Sequence, residues 1–346
     1  GSGVTAVECL ANGRHFIGYD INPLALLIAR VRATPIPQKK LMAALDVIVH
    51  SYRHAQPECV EFPNIRYWFE EHVIHDLSRL RRSILALPEE AVSNFFKVAF
   101  SETVRRVSNT RYNEFKLLRK SENNGASDVL KVFKEISLRN IGLLTSFYSS
   151  LLPREVTLKI EEHNSATGIP LEEESVDLIL TSPPYGDSRT TVAYGQFSRL
   201  SLRWLGLEET VDRTSLGARP AEITSELPSA LLYESLESIA RQNERRAQEV
   251  FAFYQDLYRC VVPLAKRVKR GKYACFVVGN RRVKGIELPT DKIVADFVEH
   301  QGFQHQRTIV RAISNKRMPS QNAPSNIKGE KDLTMRYEYI VILKKC

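Results

Sequence analysis

The residues best suited to chemistry lie in two short clusters far apart in the sequence. The first is Thr181-Ser182-Pro183-Pro184-Tyr185, which follows the apolar run Val176-Asp177-Leu178-Ile179-Leu180. Neither proline has an N–H to give, so the pair ends a β-ladder and fixes a rigid, extended loop. Open α/β sheets place their ligands outside the carboxyl ends of the strands. A loop of this kind leaves carbonyl oxygens without partners there and aims a hydroxyl and an aromatic face into the crevice. The second cluster opens the sequence. Gly1-Ser2-Gly3 precedes a helical pattern, which lets a cofactor approach the backbone at a helix N-terminus. Asp20 stands at the end of the next strand, where an acid can accept hydrogen bonds from both ribose hydroxyls of an adenosine cofactor. Each feature also has a plainer reading. Two glycines at a chain start are a weak signal alone, and Asp20 could cap the helix at Pro23.

Those clusters need elements to hold them. Val4, Ala6, Val7 and Leu10 give a first helix an apolar face, ended by Asn12-Gly13. His15 to Ile21 reads as a short strand, and Asn22-Pro23 starts a second helix through Leu24, Leu27, Ile28 and Val31. Residues 36 to 152 are almost wholly helical in pattern. Leu41, Ala44, Leu45, Ile48 and Val49 keep 3.6-residue spacing, as do Ile74, Leu77, Leu80, Ile84 and Leu87. Asn123-Asn124-Gly125 marks a loop inside this region. Further on, strands are predicted at 156–162, 176–180, 273–278, 308–313 and 337–343, with a long helix through Val250, Tyr254, Leu257, Tyr258, Val261 and Leu264 and a shorter one at 291–299. Strands alternating with helices imply a mainly parallel, doubly wound sheet. The last two strands, joined without a helix, should pair antiparallel.

The 346 residues suffice for about two domains, or one with a large insertion. With 43% hydrophobic and 26% charged residues, wholesale disorder is excluded. No apolar run approaches the roughly 18 to 20 residues of a membrane span, and no signal-peptide pattern opens the chain. The five cysteines, Cys9, Cys59, Cys260, Cys275 and Cys346, form no CxxC pair, so a reducing cytoplasm is the default and a metal site is not expected. The formal charge of +9 favours polyanionic partners. Part of it lies between Val104 and Lys120, and between Arg259 and Lys284 there are nine lysines and arginines and no acid. Such a run is most often a solvated face; beside an active crevice it supplies phosphate contacts. Trp68, Tyr112, Phe115 and Tyr148 read as core at helical spacing, with base stacking as the alternative.

The order Gly1-Ser2-Gly3, Asp20-Ile21-Asn22-Pro23 and Thr181-Ser182-Pro183-Pro184-Tyr185 resembles the S-adenosylmethionine-dependent amino methyltransferases of DNA. Ile313-Ser314-Asn315-Lys316-Arg317-Met318-Pro319 is similar to a late loop of many members. The resemblance covers the opening residues and most of 155 to 346. It implies an α/β, Rossmann-like class I methyltransferase sheet made from residues 1–35 and 153–346, with residues 36–152 as a helical insertion that serves as a target-recognition region. It implies S-adenosyl-L-methionine as cofactor, held by Gly1, Gly3, Asp20, Asn22, Asn164 and Thr181. The same resemblance places Asn164, in His163-Asn164-Ser165, against the adenine, although a polar turn has the same composition. Ser182, Pro183, Pro184 and Tyr185 would receive a base flipped out of double-stranded DNA. With Ser at the first loop position the resemblance leans to N4 of cytosine. The alternatives are N6 of adenine, an RNA amino methyltransferase, or an inactive nucleic-acid-binding fragment or subunit. The family's glycine loop follows a strand ending in an acidic or amide residue, Pro and Phe, and this sequence begins after that point. The expected sheet therefore lacks its first strand, and a second chain or upstream residues would supply it.

Overall fold

The computed structural model describes residues 1–57, 60–111, 117–120, 128–152, 155–186, 194–313, 321–322, 332–333 and 335–346. They fall into two compact units, Gly1–His163 with Tyr194–Val211, and Asn164–Ala193 with Asp212–Cys346.

The first unit opens with α1 (Val4–Ala11), β1 (Phe16–Asp20) and α2 (Pro23–Arg32), much as the sequence pattern predicts. Proline fits the first turn of α2, where its missing N–H is not needed, and the Asn22 side chain accepts from the Leu24 N–H at 3.1 Å. β1 pairs in parallel with β2 (Leu158–Glu162), Asp20 lying opposite Glu162. Between these strands run α3 (Gln38–His54), α4 (Ile65–Trp68), α5 (Glu71–Leu85), α6 (Glu90–Val107) and α7 (Val129–Ser150). The apolar stripes are what they bury: Leu41, Leu45 and Ile48 from α3, and Ile74, Leu77, Leu80 and Ile84 from α5. Each such side chain contributes about 1.5–3 kcal/mol of gross burial. Helix α8 (Tyr194–Leu205) completes this core with Leu200 and Trp204. Trp204 is fully buried and meets Phe62, Phe69 and Phe100 edge-on. Trp68 and Tyr148 pack against the same cluster, so their role here is core. The Tyr148 hydroxyl donates to the Arg32 carbonyl at 3.1 Å, and burial pushes its pKa up to about 12. Tyr112, Phe115, Cys59, the Asn123-Asn124-Gly125 loop and the loop at 314–319 lie outside the described residues.

The second unit contains β3 (Val176–Thr181), α10 (Ala230–Ala240) after the short α9 (Val211–Thr214), α11 (Glu244–Arg267), β4 (Val268–Val278), the small pair β5 (Arg282–Val283) and β6 (Ile286–Glu287), α12 (Thr290–Glu299), β7 (Phe303–Ala312), the small pair β8 (Gln321–Asn322) and β9 (Asp332–Leu333), and β10 (Tyr337–Lys345). Its main sheet has the order β3-β4-β10-β7. β3 and β4 run parallel, and β10 is antiparallel to both β4 and β7, as expected of the last two long strands. Ala274, Phe276, Val278, Val341 and Leu343 face a core shared with Val250, Phe251 and Leu257 of α11 and Phe297 of α12. The expected sheet is thus observed as two hydrogen-bonded pieces, a parallel pair and a mixed four-stranded sheet. Among the described residues, β1 and β3 are each paired along one edge only.

β4 starts at Val268, earlier than the Tyr273 expected, because the charged stretch before Tyr273 is strand too. That stretch also settles where much of the basic run lies. Lys269 and Lys272 both reach Asp177 at 3.3 Å, Arg267 reaches Glu173 at 3.7 Å and Arg270 reaches Glu174 at 3.5 Å. Asp177 is near the start of β3 and Ser182 follows its end, so these cations sit at the far end of the strand from the Pro-Pro loop.

Candidate active site and cofactor loop

The glycine loop is shaped by steric fit. Gly3 has φ +80°, a left-handed conformation that L residues rarely take. A Cβ there would lie 2.7 Å from both Cα and Cβ of Ala29, so the loop seats directly on α2. Arg32 fastens it, Nη1 donating to the Ser2 carbonyl at 2.9 Å. A Cβ on Gly1 would meet nothing within 4 Å, and no side chain caps the N-terminus of α1. The half-buried Asp20 carboxylate accepts from the backbone nitrogens of Gly1 and of Asn22, the latter at 2.8 Å. Asp20 therefore ties the end of β1 to the loop, and the helix cap proper falls to Asn22. The Asn22 side chain also donates to Ser198 Oγ at 3.4 Å. Gly1, Gly3, Asp20 and Asn22 are thus brought together around one β–α–turn junction. An open loop, uncapped helix amides and an acid at the strand end suit a cofactor that carries an adenosine.

Asn164 begins a 3-10 turn at Ser165–Thr167, its side chain accepting from the Ala166 N–H at 3.0 Å. His163 stays with β1: its N–H donates to the Asp20 carbonyl at 3.2 Å, and its ring meets Tyr19 edge-on at 5.2 Å.

At the other cluster, Thr181 is the last residue of β3, paired with Phe276 of β4. Ser182 is exposed, and Pro183 and Pro184 are half-buried. Among the described residues, no hydrogen bond reaches the Ser182 hydroxyl or the Pro183 and Pro184 carbonyls. Tyr185 is held instead. Its hydroxyl donates to Glu338 Oε1 at 2.8 Å. A Cβ on Gly279, just past β4, would lie 3.0 Å from Tyr185 Cδ2 and would also collide with Met335. Gly186, with φ +154°, is buried against the Arg281 guanidinium, which also lies 5.7 Å from the Phe253 ring centroid. Burial would raise the Glu338 carboxyl, yet Arg311 and Tyr185 together hold it below the usual carboxylate range. Gly279, Arg281, Arg311 and Glu338 are site-shaping residues that the sequence reading passed over. Their only sequence signal is Gly279 at a strand end, and the rest depends on strand register. Nucleophilic thiol chemistry is not what the site offers, since burial pushes Cys260 up to about 12 and raises Cys275.

A serine hydroxyl and a proline carbonyl kept free at the carboxyl end of a parallel strand, beside an anchored phenol ring, define the amino-methyltransferase class that the motif order implies. No family model matches the chain. Over 381 aligned residues, 99% of this chain and 82% of the relative, it is 35% identical to the Type II methyltransferase M.MvaI of Kocuria varians. The chain belongs to this family, the Type II methyltransferases, and its mixed sheet with parallel β1–β2 and β3–β4 pairs is of the Rossmann-like methyltransferase type. Two solved structures of TTHA0409 from Thermus thermophilus, described as a DNA modification methylase, share 16% identity with it. One is a selenomethionine derivative, matched over 51% of this chain and 47% of that one with a TM-score of 0.25. The other is a complex with S-adenosyl-L-methionine, matched over 53% of each with a TM-score of 0.27.

Proposed function

We propose that this chain transfers a methyl group from S-adenosyl-L-methionine to N4 of cytosine at a defined site in double-stranded DNA. The observation that carries the reading is the pair of free acceptors, Ser182 Oγ and the Pro183 carbonyl, next to the Tyr185 ring. An exocyclic amino nitrogen is a poor nucleophile because its lone pair is delocalised into the ring. Accepting its two hydrogens, one at Ser182 and one at Pro183, favours a pyramidal nitrogen with the lone pair directed at the methyl group. Pro184 keeps the loop rigid, and the Tyr185 ring stacks on the extruded base, which offsets the few kcal/mol lost on unstacking. In-line positioning supplies much of the remaining acceleration. Bound S-adenosyl-L-methionine supplies an electrophilic methyl group. Gly1 and Gly3 let it approach the backbone, Asp20 accepts from its ribose hydroxyls, and Asn22, Asn164 and Thr181 line its site.

The methyltransferase domain in this reading comprises residues 1–35 and 153–346, with the helical region 36–152 recognising the DNA target. The single paired edge of β3, with Leu178 and Leu180 exposed on it, supports a further strand added from a second chain or from upstream residues. Each ladder group left unpaired in a core costs about 1 to 3 kcal/mol. Full activity of residues 1–346 by themselves would remove that strand from the scheme. No helix among the described residues is long and apolar enough to cross a membrane, and the reading places the enzyme with DNA in the cytoplasm.

The test of the target atom is direct. Unmodified DNA is treated with the enzyme and labelled cofactor, digested to nucleosides and resolved by mass. Label in N4-methylcytosine is expected. Label in N6-methyladenine would defeat the cytosine assignment, and label only in an RNA substrate would defeat the DNA reading.

A further inference from the structure

Tyr185 leaves the Pro-Pro loop with its ring already fixed at several points. The hydroxyl lies on the long axis of the ring, so its 2.8 Å hydrogen bond to Glu338 Oε1 sets the direction of that axis. Rotation about the axis is limited separately, by the close approach of the ring edge to Gly279 and Met335. Glu338 comes from β10 and stands opposite Arg311 of β7 in the antiparallel register. Its second oxygen, Oε2, accepts from Arg311 Nε at 3.2 Å and from Arg311 Nη2. One carboxylate oxygen thus serves the tyrosine and the other the guanidinium. The Glu338 side chain is 19% exposed, whereas Arg311 is 61% exposed. A surface ion pair of this kind contributes little stability of its own. Its geometric effect is larger, because both residues sit on adjacent strands of one sheet and are firmer supports than loop residues.

We propose that Glu338, oriented by Arg311, is a positioning residue that presets the Tyr185 ring for stacking on the extruded base. This rests on the reading above, in which Tyr185 is the stacking residue. Neither Glu338 nor Arg311 touches the base in this scheme; both act through the phenol hydroxyl. Without them the ring would lose its fixed axis and would have to be ordered anew each time a base enters.

The experiment uses the full chain, with unmodified plasmid DNA and labelled S-adenosyl-L-methionine, and compares Tyr185→Ala, Tyr185→Phe, Glu338→Ala, Glu338→Gln and the double variant Tyr185→Phe/Glu338→Ala. Tyr185→Phe and Glu338→Ala should each lower the turnover rate about tenfold, the size of one charge-assisted hydrogen bond. The cofactor KM should stay the same in both. The double variant should be no slower than either single one, because both remove the same bond. Glu338→Gln keeps an acceptor oxygen and should restore most of the rate, which a packing defect at this position would not allow. A double variant whose losses multiply, or a Tyr185→Phe enzyme as fast as the parent, would overturn the proposal while Tyr185→Ala still loses activity. If Tyr185→Ala is itself unimpaired, the stacking reading fails first. Thermal melts of all five variants identify any that lose rate by failing to fold.

Discussion

Around the glycine loop, Asp20, Asn22 and Arg32 all have partners inside their own unit, and Gly3 is wedged against Ala29. Around the Ser182 loop, by contrast, the hydroxyl and carbonyl oxygens at the tip have no partners among the described residues, and the anchoring falls one residue further on, at Tyr185. The first site is built by shape and backbone capping, the second by proline stiffness and one charged side chain. The contrast fits a division of labour in which one loop is preformed to receive a large ligand and the other keeps acceptors in reserve for a small group. Unpaired polar atoms are tolerable at Ser182 because the loop is solvent-accessible, whereas in a core each would cost about 1 to 3 kcal/mol.

The sharpest way to break the contrast is at the reserve acceptor. Ser182→Ala should lower turnover by about 100- to 1000-fold, as loss of a preorganised transition-state hydrogen bond does elsewhere. Cofactor affinity measured by calorimetry should hardly change, since in this scheme the serine serves the base. A variant that instead lost cofactor affinity would make the two loops one functional unit. Next comes the wedge. Gly3→Ala introduces a Cβ 2.7 Å from Ala29 at φ +80°, so strain and overpacking together should destabilise the folded state by about 2 to 3 kcal/mol in urea melts. An unchanged melt would mean that the loop can lift off α2. Asp20→Ala should weaken S-adenosyl-L-methionine binding by about 1 to 3 kcal/mol, the range of a charge-assisted hydrogen bond. Unchanged affinity in a folded variant would leave Asp20 as a backbone clip for Gly1 and Asn22 only.

How far all this was legible in the sequence depended on distance along the chain. Asn22-Pro23 and Thr181-Ser182-Pro183-Pro184 specify a helix start and a strand end locally, and both appear where their chemistry puts them. The helical stripes Leu41/Leu45/Ile48 and Ile74/Leu77/Leu80/Ile84 were equally plain, because burial follows the period. What completes that core, Leu200 and Trp204 of α8, was not legible: it arrives from a distant segment that no local pattern ties to it. Strand limits were missed where charged residues occupy strand positions, as at Lys269 to Lys272 and at Arg307. Glu338 was hidden most thoroughly. In Tyr-Glu-Tyr-Ile-Val it reads as an ordinary outward-facing strand residue, and only the pairing of β10 with β7 places it between Arg311 and Tyr185.

The smallest expected effect concerns the basic run, and it extends the comparison from the two loops to the two ends of β3. A protein that neutralises phosphates releases counterions, so its DNA affinity falls with salt, with a slope that drops by about one for each phosphate-contacting lysine removed. The net charge of +9 leads us to expect a steep salt dependence for the whole enzyme. Lys269 and Lys272, however, are both within 3.3 Å of Asp177, and that shared partner holds the Asp177 carboxyl below its usual range through its bonds to Lys269 and then Lys272. Asp177 belongs to the opposite end of the strand from Ser182. A lysine paired there would have to give up its carboxylate to meet a phosphate, and a DNA helix seated over the Ser182 loop has no need of it. The variant Lys269→Gln/Lys272→Gln should therefore bind plasmid DNA with the parent's affinity and the parent's salt slope. A slope reduced by about two would place the DNA along this end of β3 as well, and would turn a set of surface ion pairs into part of the binding face.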